Sequence, residues 1–248
     1  MSSKSIVLLK AAPEDGEKDK YFNALEQLGF SVTLVPVIVF NFVNRESLAS
    51  SLSHPHQFSG LIFTSKRSVE AVREASGPPF TDDWRDKPVY VVGGGTGKAV
   101  LSMLGLTNIR GEDTGKAENL AELIVRENGA GAGKYLFPKG NLARDILPSV
   151  LSSNGIATEE VVAYQTEANP HLKSLLSHIA IPEYVVIFSP SGAAASLPIL
   201  KELHGDAVCQ IKFIAIGKTT ESEIVRLGFS VFHVLEKPSP ECLVAIMK

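Results

Sequence analysis

The feature that most limits the fold of this chain is an internal repeat that covers nearly all of its 248 residues. Short apolar runs alternate with stretches of helical spacing, and the same motifs occur twice in the same order. The matched pairs are residues 8–10 with 136–139, 61–65 with 186–190, 91–96 with 215–220, and 114–120 with 237–243. Alternating strands and helices favour a mostly parallel sheet flanked by helices. Two copies therefore predict an α/β protein with two similar lobes.

Two long β-branched segments, residues 31–40 and 157–166, predict how the lobes are joined. Each follows a helix-like run and a glycine, and each is longer than the usual strand of about five or six residues. Pro36 lies within the first segment. Because proline cannot donate to a central ladder, it marks an edge or a change of partner. We predict a two-stranded β hinge with a cleft between the lobes.

If both hinge strands cross between the lobes, the lobes do not follow the two halves of the sequence. The first lobe is then discontinuous and contains residues 1–36 plus 168–248. The second contains residues 37–167, including a hinge strand. A chain of this length is sufficient for two small domains, since domains usually have about 100–200 residues.

Composition excludes several classes of protein. The hydrophobic content of 44% and charged content of 21% are ordinary for a globular chain. With 24 basic and 27 acidic residues the net charge is −3, which does not suit broad nucleic-acid contact. Cys209 and Cys242 do not form a disulfide framework, and no apolar run approaches the roughly 20 residues that span a membrane. The apolar run at the N-terminus is too short for a signal peptide, and we expect a cytoplasmic (cytosolic) protein.

Polar and small residues follow most of the predicted strands, where parallel α/β sheets bind their ligands. Several of these segments open directly into a helix, whose free N–H groups attract anions. The sequence therefore predicts a small polyanionic ligand. The candidate binding residues are Thr64, Ser65, Thr96, Lys139, Ser189, Ser191, Gly192, Lys218, Thr219 and Thr220.

Several of these candidates have a second, purely structural interpretation. Residues 93–97 lack the spacing of a dinucleotide-binding loop, which favours a tight turn with an anion contact. Ser189 caps a helix in either interpretation, and capping is compatible with ligand contact. Lysines such as Lys10 and Lys139 are more often solvated than functional. Tyr164 is either a half-buried strand residue or a hydroxyl facing the cleft, and the scattered histidines do not predict a metal site.

A set of motifs along the chain is similar to those of the uroporphyrinogen-III synthase family. These motifs are residues 61–65 with 69–71, 89–93, 136–138 with 140–142, 146–148, 162–166, 188–192, and 211–217 with 219–220. The resemblance covers essentially the whole chain and is closer to the animal members. It implies two α/β lobes joined by a two-stranded ladder, and a lyase of heme biosynthesis without cofactor or metal. Such an enzyme converts hydroxymethylbilane into uroporphyrinogen III, with loss of water and inversion of the terminal (D) pyrrole ring through a spiro intermediate.

The resemblance also implies roles for individual residues. Tyr164 is then the candidate general acid, or a hydrogen-bond donor, for the departing hydroxyl. The candidate binding residues named above would hold the eight carboxylates of the substrate. We expect a monomer, and a transient contact with the preceding pathway enzyme is left open. The competing interpretation is a non-catalytic clamshell binding protein for a polycarboxylate metabolite, whose architecture would be the same.

Overall fold

The computed structural model describes residues 4–13, 19–76, 82–129, 131 and 133–247. Within this part of the chain, the strands are β1 (Ser5–Lys10), β2 (Ser31–Pro36), β3 (Ile38–Phe42), β4 (Gly60–Phe63), β5 (Val89–Val91), β6 (Ile109–Arg110), β7 (Lys134–Gly140), β8 (Ala157–Ala168), β9 (Tyr184–Ile187), β10 (Lys212–Ala215) and β11 (Val231–Val234). The helices are α1 (Lys20–Gln27), α2 (Arg45–Leu52), α3 (Lys66–Ser76), α4 (Asp82–Arg85), α5 (Gly94–Ala99), α6 (Ala117–Asn128), α7 (Ile146–Ser153), α8 (Leu172–Ser177), α9 (Pro190–His204), α10 (Lys218–Arg226) and α11 (Pro240–Met247). Tighter turns cover Pro55–Gln57 and Gly205–Gln210, and a π-type turn, Val100–Leu104, extends α5.

The chain divides into two compact units. The first unit contains Met1–Val39 and Glu167–Lys248, and the second unit contains Phe40–Thr166. The lobe boundaries expected from the sequence differ from these by a few residues. The two predicted features that this division supports directly are the α/β class and the presence of two sheets flanked by helices.

The first unit is built on a five-stranded sheet of order β11-β10-β9-β1-β2, with every neighbouring pair parallel. Successive side chains of a strand point to opposite faces of the sheet, and the side chains on both faces of the central strands are buried. Val7 and Leu9 pack in one core with α8, α9 and α10. Ile6 and Leu8 pack in another core with α1 and α11. The sheet is therefore covered by helices on both faces.

The second unit is built on a six-stranded sheet of order β3-β8-β7-β4-β5-β6. Leu61 and Phe63 of β4 face a core formed with α2, α3 and α5. Ile62 faces the opposite core, formed with α6 and α7. The two sheets share one strand order, in which β6-β5-β4-β7-β8 corresponds to β11-β10-β9-β1-β2.

The first long segment differs from the prediction, because residues 31–40 are not one strand. The strand ends at Pro36, and β3 begins at Ile38. β2 pairs with β1 in the first sheet, whereas β3 neighbours β8 in the second. The Val37 N–H still donates to the Lys10 carbonyl oxygen of β1 (3.1 Å), so the change of partner occurs between Val37 and Ile38. Pro36 is tolerated in this edge strand because its position does not donate to β1. The second segment is one strand, β8, which pairs with β7 along most of its length.

Asn169 fixes the point at which the chain returns to the first unit. Its Nδ2 donates to the carbonyl oxygen of Pro36 (2.7 Å), and its backbone N–H donates to that of Val37 (3.0 Å). Its Oδ1 accepts from the N–H of His171 (2.9 Å). The residue is only 8% exposed, so its partners have little access to replacement water. The end of β2 is thereby tied to the segment that follows β8.

Replacing Asn169 with alanine should lower the free energy of unfolding by about 1–3 kcal/mol, because buried partners lose their hydrogen bonds. Chemical denaturation followed by circular dichroism measures this loss. The exposed Gln210 provides the control, and Gln210→Ala should change stability by less than about 0.5 kcal/mol. Equal, small effects of the two substitutions would contradict the assigned role of Asn169.

A hydrogen-bonded network lies on the α6 side of the second sheet. Tyr135 donates to Oδ1 of Asn128 (2.9 Å), whose Nδ2 donates to the hydroxyl of Tyr90 (2.9 Å). Tyr90 in turn donates to the Glu127 carboxylate (2.8 Å), which is also bound by Arg110 (2.8 Å). Burial, followed by the neighbouring Tyr90, raises the pKa of Tyr135 to about 12. Burial also raises the pKa of Tyr90.

The raised pKa of Tyr135 predicts a loss of stability in alkaline solution. The folded protein holds the phenol proton more tightly than the unfolded chain, so stability is complete below the unfolded pKa of 10.0. The free energy of unfolding should fall as the pH rises from about 10 towards about 12. Denaturation at a series of pH values measures the slope. The variant Tyr135→Phe should show a shallower slope, and an unchanged slope would contradict the prediction.

Candidate functional site

Five of the candidate residues lie towards the carboxyl ends of neighbouring strands in the second unit. Thr64 and Ser65 directly follow β4, and Thr96 lies in the first turn of α5, which follows β5. Lys139 is near the end of β7, and Tyr164 lies on the adjacent β8. Because neighbouring strands are parallel, these residues share one edge of the sheet.

The structure brings Ser65 and Tyr164 into direct contact. The Ser65 Oγ and the Tyr164 Oη are 3.1 Å apart, across 99 positions of sequence. Ser65 Oγ also accepts from the backbone N–H of Ser68 (3.3 Å), while the Ser68 hydroxyl donates to the Ser65 carbonyl (2.7 Å). Ser65 can therefore donate its own proton to Tyr164. The phenol proton is then free to point at another acceptor.

Aromatic packing holds the ring of Tyr164 in place. The ring meets Phe40 edge to face, with 6.3 Å between ring centroids. The guanidinium of Arg67 lies 4.6 Å from the centroid of the Phe40 ring and pairs with Glu70 (2.8 Å). Tyr164 is half-buried, which leaves part of its surface accessible. The sequence left open whether this tyrosine packs or presents its hydroxyl, and the geometry is compatible with both.

Gly140 makes room for the Tyr164 ring. The β7–β8 register shifts between Lys139 and Gly140, and Gly140 lies opposite Tyr164. A Cβ atom on Gly140 would stand 2.6 Å from Cζ and 2.8 Å from the hydroxyl oxygen of Tyr164. Such distances are too short for real atoms. The backbone N–H of Asn141 also donates to the Tyr164 carbonyl oxygen (3.0 Å) and fixes this part of β8.

Lys139 has its charge engaged within the second unit. Its ammonium forms ion pairs with Glu160 and with Asp145 (3.3 Å), and its side chain is only 14% exposed. Burial lowers the pKa of Lys139, but the hydrogen bond and charge of Glu160, followed by those of Asp145, outweigh it. The pKa therefore lies above its ordinary value. Lys139 carries a full positive charge, and two carboxylates already compensate it.

Most of the glycine-rich segment 93–97, which the sequence predicted as a tight turn, is helical. The helix begins at Gly94, so Thr96 lies within its first turn. Thr96 is only 6% exposed, and its N–H donates to the Gly93 carbonyl oxygen (3.1 Å). A Cβ atom on Gly97 would collide with the Glu112 carboxylate. A side chain at position 97 would therefore require Glu112, which is exposed, to move.

The remaining candidates lie in the first unit, after the neighbouring parallel strands β9 and β10. Ser189 is the N-cap of α9, and its Oγ accepts from the Gly192 N–H (2.9 Å) and lies 3.1 Å from the Ser191 Oγ. The helix therefore begins at Pro190. Capping by Ser189 is thus realised, and ligand contact stays a prediction.

The second group in the first unit opens α10. Lys218 and Thr219 are exposed at the start of this helix. Thr220 is 1% exposed, and its N–H donates to the Gly217 carbonyl oxygen (3.1 Å). The Thr219 side chain is therefore accessible to a ligand, whereas the Thr220 side chain is buried. The binding roles of all three stay predictions.

A pocket of about 440 Å³ lies in the second unit beside Thr64. Its lining includes Lys116 and Arg144, which the sequence analysis did not single out. Lys116 belongs to the repeated motif at residues 114–120, and Arg144 follows the family-like segment 140–142. These motifs could have identified the two residues as candidates. Their proximity to each other could not be predicted from the sequence, because it depends on the fold.

Two searches of the described residues gave negative results. Within residues 4–13, 19–76, 82–129, 131 and 133–247, no group of three or more His, Cys, Asp or Glu side chains is placed to hold a metal ion. In the same part of the chain, no helix has the length and apolar character needed to cross a membrane.

Comparison with known proteins gives consistent similarities. Residues 19–245 match the profile of the family described as Uroporphyrinogen-III synthase HemD. The uroporphyrinogen-III synthase of Saccharomyces cerevisiae is 28% identical over 246 residues, which cover 91% of this chain and 89% of the yeast protein.

Solved structures show the same fold. The uroporphyrinogen-III synthetase of Helicobacter pylori aligns with a TM-score of 0.61 and 18% identity, covering 98% of each chain. A mutant uroporphyrinogen III synthase from Thermus thermophilus aligns with a TM-score of 0.54 and 15% identity, covering 99% of this chain and 98% of the other. At these identities the likeness concerns the fold.

The close approach of Gly140 and Tyr164 predicts an energetic coupling between the two positions. Gly140→Ala should destabilise the protein by about 1–3 kcal/mol, because the new methyl group overpacks against the ring. In a Tyr164→Ala background the same substitution should cost less. Denaturation of the two single variants and the double variant measures the coupling, which should be about 0.5–3 kcal/mol for residues in contact. Additive effects would show that the ring does not constrain position 140.

Proposed function

The chain belongs to the uroporphyrinogen-III synthase family, and we propose that Tyr164 assists its reaction by donating a hydrogen bond to the departing hydroxyl of hydroxymethylbilane. The family match covers residues 19–245, which is most of the chain. The enzyme is a cyclising lyase that forms uroporphyrinogen III. The observation that supports the role of Tyr164 is its 3.1 Å contact with Ser65 at the carboxyl edge of the second sheet.

The reaction begins with the loss of the hydroxyl group from the terminal hydroxymethyl carbon. The C–O bond breaks, the oxygen takes a proton and leaves as water, and an electron-poor azafulvene remains conjugated to the pyrrole chain. A hydrogen bond to the departing oxygen lowers the barrier to this step. Ser65 supports this role of Tyr164, because a proton donated by Ser65 to the phenol oxygen orients the phenol proton towards the substrate.

Ring closure requires control of the substrate's conformation. The linear substrate also closes spontaneously, without inversion of the D ring, so the enzyme has to hold the chain in the geometry of the spiro intermediate. That task depends on orientation more than on acid strength. We propose that the accessible hydroxyls of Thr64, Ser65, Ser189, Ser191 and Thr219, with the Lys218 ammonium, bind substrate carboxylates. Gly192 supports this arrangement indirectly, because its N–H is taken up by the Ser189 cap.

Three candidates contribute differently in this proposal. Thr96 and Thr220 are buried in the first turns of their helices, so we assign them to the support of the backbone that faces the substrate. Lys139 is compensated by Glu160 and Asp145, so its role is to hold the end of β7 beside Tyr164.

We further propose a monomeric enzyme in the cytosol that receives its substrate through transient contact with the preceding pathway enzyme. The free thiols of Cys209 and Cys242 favour a reducing compartment. The net charge of −3 does not favour a nucleic-acid partner.

Product analysis tests the proposed function. The purified protein, given fresh hydroxymethylbilane without added cofactor, should produce an excess of type III over type I uroporphyrin after oxidation of the products. The type I isomer alone, formed at the spontaneous rate by a folded sample, would instead support a binding protein for a polycarboxylate metabolite.

Tyr164→Phe tests the role of the phenol. We expect turnover to fall about 100-fold, the lower end of the usual contribution of general acid catalysis, because a tyrosine is a mild acid. Ser65→Ala retains the phenol and should lower turnover less. Circular dichroism and thermal unfolding control for the fold. Unchanged turnover of Tyr164→Phe would remove the phenol from the mechanism.

A further inference from the structure

We propose that Arg144 and Lys116 are further substrate-binding residues, and that the pocket beside Thr64 binds one carboxylate-bearing arm of the tetrapyrrole. The inference rests on the proposed function and assigns a contact to a place in the fold where the sequence predicted only Thr64. The pocket has a volume of about 440 Å³ and lies wholly within the second unit.

The two cations at this pocket are available to a ligand. Both residues line the pocket, and both are exposed. Neither the Arg144 guanidinium nor the Lys116 ammonium has an ion-pair partner among the residues that the structure describes. This differs from Lys139 close by, which pairs with two carboxylates. An unpaired guanidinium can bind a carboxylate through two parallel hydrogen bonds.

Two helix N-termini add hydrogen-bond donors to the same pocket. Helix α6 has 12 residues and α7 has 8 residues, and their first residues, Ala117 and Ile146, both line the pocket. The residues that precede them, Lys116 and Asp145, make no side-chain capping hydrogen bond. The first N–H groups of both helices are therefore left to water or a ligand, and they carry partial positive charge.

The internal repeat provides a comparison within the same chain. The motif at residues 114–120 corresponds to residues 237–243, which places Ser239 at the position of Lys116. In the first unit, the Ser239 hydroxyl accepts from the Cys242 N–H (3.3 Å) at the start of α11. The serine thus caps its own helix. At the matching position, Lys116 provides a positive charge instead of a capping hydroxyl, and the first N–H groups of α6 have no side-chain cap. Both differences favour the binding of an anion.

The shape and chemistry of the pocket suit an alkyl carboxylate on an aromatic ring. Val92, Phe137 and Leu147 give it apolar walls, while its polar lining includes Thr64 and the two cations. Glu118 also lines the pocket, so two positive charges face one negative charge. A free inorganic anion would not use the apolar walls. A pyrrole ring with a carboxylate arm would use the walls and the cations together.

Steady-state kinetics with hydroxymethylbilane test the inference through Arg144→Gln and Lys116→Gln. Arg73 is an exposed arginine on α3 that does not line this pocket, so Arg73→Gln is the matched control for loss of one charge. We expect KM to rise about tenfold in each pocket variant, since a hydrogen bond to a charged group contributes at least this much to affinity. Arg144→Lys should recover part of the loss, and Arg73→Gln should not change KM.

Salt dependence separates ligand binding from a structural effect. If Arg144 contacts a substrate carboxylate, kcat/KM of Arg144→Gln should fall less steeply with ionic strength than kcat/KM of the unsubstituted enzyme. An unchanged KM in both pocket variants, or a fall in kcat alone, would overturn the inference while type III product from the unsubstituted enzyme still supports the proposed function. Absence of a type III excess from the unsubstituted enzyme would overturn both.

Discussion

Parallel strand pairing is the constraint on which the rest of this structure depends. Every pairing described between β1, β2, β9, β10 and β11 is parallel, as is every one described between β4, β5, β6, β7 and β8. These strands consequently end at the same edge of their sheet, and the helices that follow them begin there. Polar residues from distant parts of the sequence then share one edge, and the helices present their N–H donors beside them. The contact between Ser65 and Tyr164 is the clearest product of this arrangement.

Local pattern predicted the alternation of strands and helices, because buried parallel strands and amphipathic helices leave distinct periods in a sequence. It also located Ser65 and Tyr164 correctly on a strand end and a strand. It did not predict the short helices α4 and α8 or the separation of β2 from β3. Contacts between distant residues could not be obtained in this way. Register across strands determines three such features. They are the pairing of Lys139 with Glu160, the close approach of the Tyr164 ring to Gly140, and the break at Val37. Pro36 indicated a change of partner near this position. By contrast, the proximity of Lys116 and Arg144 depends on how α6 and α7 pack against each other.

The repeated motifs separate what supports the fold from what distinguishes one unit from the other. Thr96 and Thr220 occupy matching positions, are both buried and both donate a backbone N–H to the glycine three residues before them. Lys10 and Lys139 also match, and each is paired with a carboxylate. These features serve both units alike. Tyr164 has no such equivalent, since the β7–β8 pairing continues past Lys139 to Gly140 and Tyr164, whereas the β1–β2 pairing ends at Lys10 and Pro36. The proposed chemistry thus depends on a residue, Tyr164, in which the second unit differs from the first.

The shared strand order has a consequence for the biosynthesis of the chain. Each sheet combines strands from both copies of the repeat, since β1 and β2 pair with β9 to β11, while β7 and β8 pair with β4 to β6. The second unit is continuous in sequence, so its sheet can be completed as soon as β8 leaves the ribosome. In the first unit, β1 and β2 are synthesised before β9, and the more than one hundred residues of the second unit lie between them. The first sheet therefore depends on contacts that are distant in sequence and form late. Until β9 is synthesised, the edge of β1 to which it pairs has no partner strand and is open to pairing with other chains.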